Sequence, residues 1–402
     1  MPQTKRLAAV PAELHLRYAP DLLTVEIGAN ESYSFDRAGC LVRAAWDGHL
    51  YRWGFDGSCL QKAFTVRSSE KVRIRHDTAA GLVMAHHAYD RAIRLFSQVQ
   101  LEQESWRPVL QQITAYGIQL LQNRARRFKE LYGDVSILPP DQYGALVLQL
   151  TEGCRYNRCS FCTFYKHIPY RVKTLEQFEA HIQGVLDMVG PAIDRRQNLF
   201  LGDANALGIP FGQLLAVFEL VNRLIPVNPA DKTAIQGIYT FLDIFNRRPY
   251  TAAQCKVLAQ LGLRRVYIGA ESGSEQVLQV LRKPNQLHLL HQCVAALKEG
   301  GVGVGLIFLL GAGGMRYYHE HAAATTRLLS QLPLDKRDIV YLSELVNDPH
   351  SDYALWAEQE DVRPLSPEDA RNQEQMIRRA LKPVDEDGPR VSRYDVREFI
   401  YY

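Results

Sequence analysis

ALVLQLTEGCRYNRCSFCTFY, Ala145 to Tyr165, joins a short apolar run to a cluster of three cysteines. ALVLQL is too short for a stable helix and reads as a buried strand. Cys154, Cys159 and Cys162 follow at once, in the spacing C-x4-C-x2-C. On a loop three such thiolates can curl around one centre, whereas a strand or helix would point them apart. Soft thiolates select zinc, copper(I) or an iron–sulfur cluster. Three cysteines leave one iron of a four-iron cluster without a protein ligand, which is where a substrate or cofactor would bind. A structural zinc site completed by His167 is the rival reading, and three unliganded thiols a second. Position favours the cluster, because the loop leaves the C-terminal end of the first strand of an α/β domain, where parallel barrels put their chemistry.

The case for an α/β domain comes from the residues downstream. Strand-like runs recur with helical patterns between them: NLFLGD (198–203), IQGIYTF (235–241), RRVYIGA (264–270), VGVGLIFLL (302–310) and DIVYLSEL (338–345). Thr174 with Gln177 predicts a capping box, and Ser366-Pro367 with Asp369 a capped helix start. Alternating strands and helices imply a parallel sheet with right-handed crossovers. Six strands are too few to close an eight-stranded barrel, so the expected fold is α/β, an open partial (β/α)6 TIM-like barrel.

Upstream the texture differs. LVRAAW, HLYRWGF and CLQKAF, separated by turn signals such as Asp47-Gly48 and Asp56-Gly57, predict short antiparallel strands. From Thr78 to about Tyr132 apolar residues fall three and four apart, and Pro108 separates two helices. The patterns divide the chain into a small α+β N-terminal domain over 1–140, the partial barrel over 141–350 and a C-terminal helical extension over 351–402.

The 402 residues are 47% hydrophobic and 23% charged, an ordinary globular composition long enough for a large core. A formal net charge of +3 gives no basic excess of the kind a dedicated nucleic-acid binder carries, so a nucleic-acid partner is not expected. NRARRFKELYG (123–133) reads as a solvated helix face. No run approaches the ~20 apolar residues that span a bilayer, and the first twenty residues lack a signal-peptide core. Seven cysteines, three of them crowded together, do not make a disulfide framework; a reducing cytoplasm is the expectation.

Three cysteines after the first strand, with Phe161 before the last, resemble the cluster loop of the radical S-adenosylmethionine superfamily. The usual spacing there is C-x3-C-x2-C, and this chain has one extra residue in the first gap. PYRVKTLEQF (169–178) is similar to the basic segment before the first helix of HemN-like and cobalamin-associated members. LGDAN (201–205) falls where the family holds the amino group of the cofactor, a role the resemblance gives to Gly202 and Asp203. YIGAESGSEQVLQVLRKP (267–284) resembles the strand-four motif, with Glu271 and Ser272 where members contact ribose or the methionyl carboxylate. GVGLIFLLGAGG with Glu320-His321 and Thr325 resembles the strand-five segment.

What the resemblance implies is a [4Fe–4S] cluster on Cys154, Cys159 and Cys162, with S-adenosylmethionine held by Phe161, Gly202, Asp203, Glu271 and Ser272. Reductive cleavage of that cofactor would give a 5′-deoxyadenosyl radical acting on a small or medium-sized metabolite, fed by an electron donor such as flavodoxin or ferredoxin. The residue types suit this: an ammonium needs an acceptor such as Asp203, and ribose needs a carboxylate or hydroxyl. His321 and Tyr165 are the candidate catalytic side chains, and Glu344, Asp348 and His350 candidates for the substrate pocket. Cys40, Cys59, Cys255 and Cys293 stand alone, so no auxiliary cluster is expected. The N-terminal unit lacks D-x-H-x-x-G, which argues against a cobalamin domain. The subgroup is not identified. A different class of reading keeps zinc on the cysteines and has the chain bind or modify RNA.

Overall fold

The computed structural model describes residues 14–63, 73–133, 135, 137–228, 230–231, 234–245, 249–379 and 381–402. It divides into two compact units: residues 1–133 with 183–196 and 400–402, and residues 134–182 with 197–399.

The first unit is a seven-stranded antiparallel meander: β1 (Leu14–Tyr18), β2 (Leu22–Ile27), β3 (Glu31–Asp36), β4 (Leu41–Trp46), β5 (His49–Trp53), β6 (Cys59–Ala63) and β7 (Arg73–His76). Asp47 and Gly48 both take positive φ in the β4–β5 turn, the backbone that a two-residue hairpin demands. Helices α1 (Thr78–Phe96), α2 (Arg107–Tyr116) and α3 (Gln119–Leu131) follow. Asp77 caps α1 by accepting from the Ala80 amide, and Pro108 sits in the first turn of α2. Small residues along α1 (Ala85, Ala88, Ala92) let it lie close on Leu23, Val25, Phe35 and Trp53, which alternate along their strands toward one face. Within this core the Asp36 carboxylate takes the guanidinium of Arg124 at 2.6 Å.

The second unit is built on strands β8 (Leu146–Gln149), β11 (Asn198–Gly202), β12 (Gly237–Phe241), β13 (Leu263–Glu271), β14 (Gly303–Leu310), β15 (Ile339–Glu344) and β16 (Arg390–Arg393). A two-residue ladder, β9 (Thr151–Glu152) with β10 (Arg171–Val172), stands apart from them. The seven run parallel in strict chain order, and among the described residues β8 and β16 are unpaired edges, so the fold is an open partial barrel. Crossovers are made by α4 (Leu175–Val189), α5 (Phe211–Leu224), α6 (Ala252–Gln260), α7 (Glu275–Val280), α8 (Leu287–Glu299) and α9 (Tyr318–Gln331), with α10 (Asp352–Gln359) and α11 (Pro367–Arg378) before β16. The predicted capping box forms at Thr174–Gln177, and the predicted cap at Ser366 is itself a capping box with Asp369.

Two expectations need correction. The barrel has a seventh strand, β16, inside the stretch read as a helical extension. RVSR carries no apolar alternation and is only half-buried, so periodicity could not reveal it; pairing with β15, Ile339 opposite Arg390, creates it. The unit boundary also falls at Gly133 rather than 140, because residues 138–142 belong to the barrel. There Asp141 closes the N-terminal end of the interior, accepting from the Tyr267 and Tyr341 hydroxyls at 2.6 Å each and from Arg265 at 2.8 Å. Aromatic rings fill the space above it: Phe200, Phe241, Tyr267, Tyr341 and Tyr394 succeed one another at centroid distances of 5.1–6.5 Å. A Cβ on Gly305 would meet the Tyr267 ring at 2.2 Å, so glycine there is what admits that ring. Among the described residues, no helix is long and apolar enough to cross a membrane.

Candidate active site

Within the second unit a cavity of about 320 Å³ opens at the C-terminal ends of the parallel strands, a volume in the range of small-molecule sites. Cys154, Cys159 and Cys162 line it together with Phe161, Glu271 and Lys283. Each element delivers its residue by the alternation of a strand or the curl of a loop: Glu271 ends β13, Leu309 lies near the end of β14 and Ser343 near that of β15.

The cysteine loop is stapled rather than free. Gly153 has φ +68°, and a Cβ there would strike the Ile168 carbonyl at 2.6 Å, so the loop needs glycine at its start. The Ser160 amide donates to the Leu281 carbonyl and its hydroxyl to the Val280 carbonyl, both at 2.9 Å, which ties the loop to the end of α7. The Tyr156 hydroxyl donates to the Arg282 carbonyl at 2.6 Å, and the Asn157 side-chain amide to the Tyr165 carbonyl at 2.8 Å. Backbone amides already point at sulfur, Asn157 N–H at Cys154 Sγ (3.4 Å) and Phe164 N–H at Cys162. Burial pushes the Cys159 thiol up to about 12 and raises Cys162 as well, while Lys283 opposes the rise at both. Half-buried thiols without a cation stay protonated, and a cationic metal centre reverses that preference. The donor set therefore fits an iron–sulfur cluster. Among the described residues no three His, Cys, Asp or Glu converge closely enough for a single ion, and His167 is exposed and outside the cavity lining, so the zinc reading lacks its fourth ligand. A cluster asks instead for one thiolate per iron.

Residues 148–322 match the family model described as the Radical SAM superfamily. The chain contains a radical SAM domain. It is an enzyme whose cofactors are a [4Fe–4S] cluster and S-adenosylmethionine. Its fold is similar to coproporphyrinogen III oxidase (HemN) from Escherichia coli, at 13% identity and a TM-score of 0.40 over 59% of this chain and 53% of that one. It is also similar to the radical S-adenosylmethionine methyltransferase TsrM from Kitasatospora setae, at 17% identity and 0.40 over 57% and 41%. A third similar structure is methylornithine synthase (PylB), at 15% identity and 0.38 over 72% of each chain. The chain thus spans about half the length of HemN and less of TsrM. No curated protein matches it.

The radical SAM domain brings some of the expected residues to the cavity and not others. Phe161 and Glu271 line it with the three cysteines, as do Tyr165, Glu344 and Asp348. Glu271, at φ +60°, holds the Lys283 ammonium at 2.6 Å, both side chains nearly buried. Burial opposes the Lys283 charge, but the Glu271 carboxylate outweighs it and the pKa rises. Gly202, Asp203 and Ser272 stand outside the lining. Asp203 is buried under the cysteine loop, its carboxyl reached by the Gly153 amide and by the Tyr165 hydroxyl at 3.5 Å, and burial pushes it up to about 8. Ser272 is fully buried against His321. His321 is corrected as a catalytic candidate: its Nε2–H donates to the Leu309 carbonyl and its Nδ1 accepts from Ser272, both at 2.7 Å. Burial lowers its pKa to about 4, so it is a neutral packing residue. His350 also lies outside the lining.

The sequence reading missed Lys283, Asp243, Ser343 and the aromatic walls Phe241, Phe245, Tyr267 and Tyr394, all of which line the cavity. Lys283 sits inside the quoted strand-four motif, and its charge next to a helix end was a usable signal. Ser343 and Tyr394 carried none, since an isolated serine or tyrosine on a strand has no distinctive pattern.

Proposed function

We propose that the chain reductively cleaves S-adenosylmethionine and turns the resulting radical on a small-molecule substrate held in the barrel mouth. The observation that carries this reading is the sharing of one cavity by Cys154, Cys159, Cys162, Phe161 and the Glu271–Lys283 pair. When bound, the cluster and S-adenosylmethionine supply one-electron cleavage of the sulfonium to methionine and a 5′-deoxyadenosyl radical, which takes hydrogen from an unreactive carbon.

The chain's own residues then have separable tasks. Cys154, Cys159 and Cys162 hold the cluster, and the Ser160 and Tyr156 bonds keep their loop fixed. Lys283 offers a cation to a carboxylate, and Glu271 an acceptor to hydroxyl groups. Asp203 lies outside the lining, where burial pushes its carboxyl up to about 8. It braces the cysteine loop through Gly153 and Tyr165. The apolar walls exclude water from the reacting centre. Arg155, Arg158 and Lys166 are exposed around the cysteine loop, a basic rim complementary to an acidic electron carrier of the flavodoxin or ferredoxin kind.

The test is anaerobic reconstitution with iron and sulfide, then dithionite and S-adenosylmethionine, with chromatography for 5′-deoxyadenosine. Wild-type protein should hold four irons per chain, about the content of one cluster, and produce deoxyadenosine. Cys159→Ala should lose both. Protein that takes up zinc in place of iron and yields no deoxyadenosine, with or without candidate substrates, would refute the proposal.

A further inference from the structure

The cavity carries information about what it accepts. Four of its tyrosines, Tyr156, Tyr165, Tyr267 and Tyr394, send their hydroxyls away from it, to the Arg282 carbonyl, Asp203, Asp141 and the Leu138 carbonyl at 2.6, 3.5, 2.6 and 2.7 Å. What those side chains present inward is ring carbon. Phe164, Phe241 and Phe245 add further rings, and Ile307, Leu309 and Val396 aliphatic surface. Among the described residues the cation in the lining is Lys283, already engaged by Glu271 at 2.6 Å. Of the other carboxylates in the lining, Asp243 accepts from the Asn205 side-chain amide at 2.8 Å, Glu344 is exposed and Asp348 accepts from the His350 amide.

One buried polar side chain of this wall has no hydrogen-bond partner among the described residues. Ser343 is 2% exposed, lies on β15 two residues beyond Tyr341 on the same inward face, and lines the cavity. Its hydroxyl makes no hydrogen bond with any described residue. A buried hydroxyl left unpaired costs free energy unless a ligand or water completes it. With Leu309 on the neighbouring β14 and Tyr394 after β16, it is an uncharged donor–acceptor set among rings and aliphatic side chains.

We infer that the substrate is an aromatic ring compound without anionic groups, seated against the aromatic lining and held by one hydrogen bond to Ser343. This rests on the proposed radical function and names the substrate class for the same site. Phosphorylated or polycarboxylate substrates are excluded on the same grounds, since Lys283, the cation of the lining among the described residues, is held by Glu271 and on the proposed function serves the cofactor's carboxylate, which leaves none for a second charge. Ser343 is the specificity-determining residue, because an apolar wall alone discriminates poorly between rings of one size.

The probes are indole, its oxygen isostere benzofuran, which lacks the N–H, and phenyl phosphate. Each is titrated by saturation-transfer NMR into anaerobically reconstituted protein with S-adenosylmethionine present. Indole should bind saturably at one site, with phenyl phosphate weaker by about tenfold or more. Ser343→Ala should weaken indole by about fivefold, the worth of one neutral hydrogen bond, and leave benzofuran unchanged. No indole binding, phenyl phosphate binding as tightly as indole, or an equal loss of indole and benzofuran in Ser343→Ala would each overturn the inference. Iron and S-adenosylmethionine retention, measured on the same sample, separates the two readings. Both retained without ring binding overturns the substrate class alone. Indole binding without either overturns the radical function and leaves a ring site.

Discussion

Replacing Lys283 with methionine should loosen the barrel from its centre. The side chains of Lys283 and Glu271 are 12% and 9% exposed, and their charges meet at 2.6 Å. Removing one member of a buried pair strands the other, at a cost of about 3–5 kcal/mol. Both groups reach the cavity, so solvent can enter, and the lower end, about 3 kcal/mol, applies. At about 1.4 kcal/mol per tenfold, that is roughly a hundredfold in the opening equilibrium of the barrel. Hydrogen exchange followed by mass spectrometry on the cofactor-free protein reads it directly, since β13 amides exchange when the central sheet opens. The β13 peptide should exchange roughly a hundredfold faster in Lys283→Met. Adding Glu271→Gln should restore most of the protection, because the stranded charge is gone. A single variant exchanging within about threefold of wild type would show that the pair is solvated and that the electrostatic reasoning fails.

Asp203 makes the cofactor-free protein pH-sensitive. Its folded pKa of about 8 lies above the ordinary aspartate value of 3.8, so its contribution is full below pH 3.8 and is lost as pH rises through 8. Melting temperature should fall across that window in wild type and fall less in Asp203→Asn; parallel curves would refute this. His321 works in the opposite sense. Its pKa is lowered from 6.5 to about 4, so its contribution is present above 6.5 and lost as pH falls through 4. His321→Gln should lower stability by about 1–3 kcal/mol through two lost buried hydrogen bonds, yet leave deoxyadenosine formation by the reconstituted enzyme largely intact. Abolished cleavage in a folded variant would return His321 to the chemistry. Tyr267→Phe removes one of the hydroxyls on Asp141 and should cost about 1–2 kcal/mol in urea unfolding. A smaller loss would mean that Arg265 and Tyr341 alone satisfy that carboxylate.

Much of the barrel was legible because its signals are local. Strands β8 and β11 to β15 are short apolar runs between helical patterns, and Thr174–Gln177 and Ser366–Asp369 are contacts three residues apart. The cysteine loop was legible for the same reason, since ligands crowded into nine residues converge whatever the rest of the chain does. β16 was not, because RVSR becomes a strand only when the β15 edge supplies its hydrogen bonds.

The sequence by itself determined the fold class, the cysteine loop and the family of cofactor chemistry, all written in neighbouring residues. Tertiary structure decided which residues face the reaction. It moved His321 and Ser272 into the packing behind the wall, paired Glu271 with Lys283, and gathered Tyr267, Leu309, Ser343 and Tyr394 from four segments around one space. A pocket is a relation among distant strands, fixed by sheet order and by which way each side chain alternates. No window of neighbouring residues contains that relation, so chemistry could be read from this sequence while the shape of the substrate had to wait for the fold.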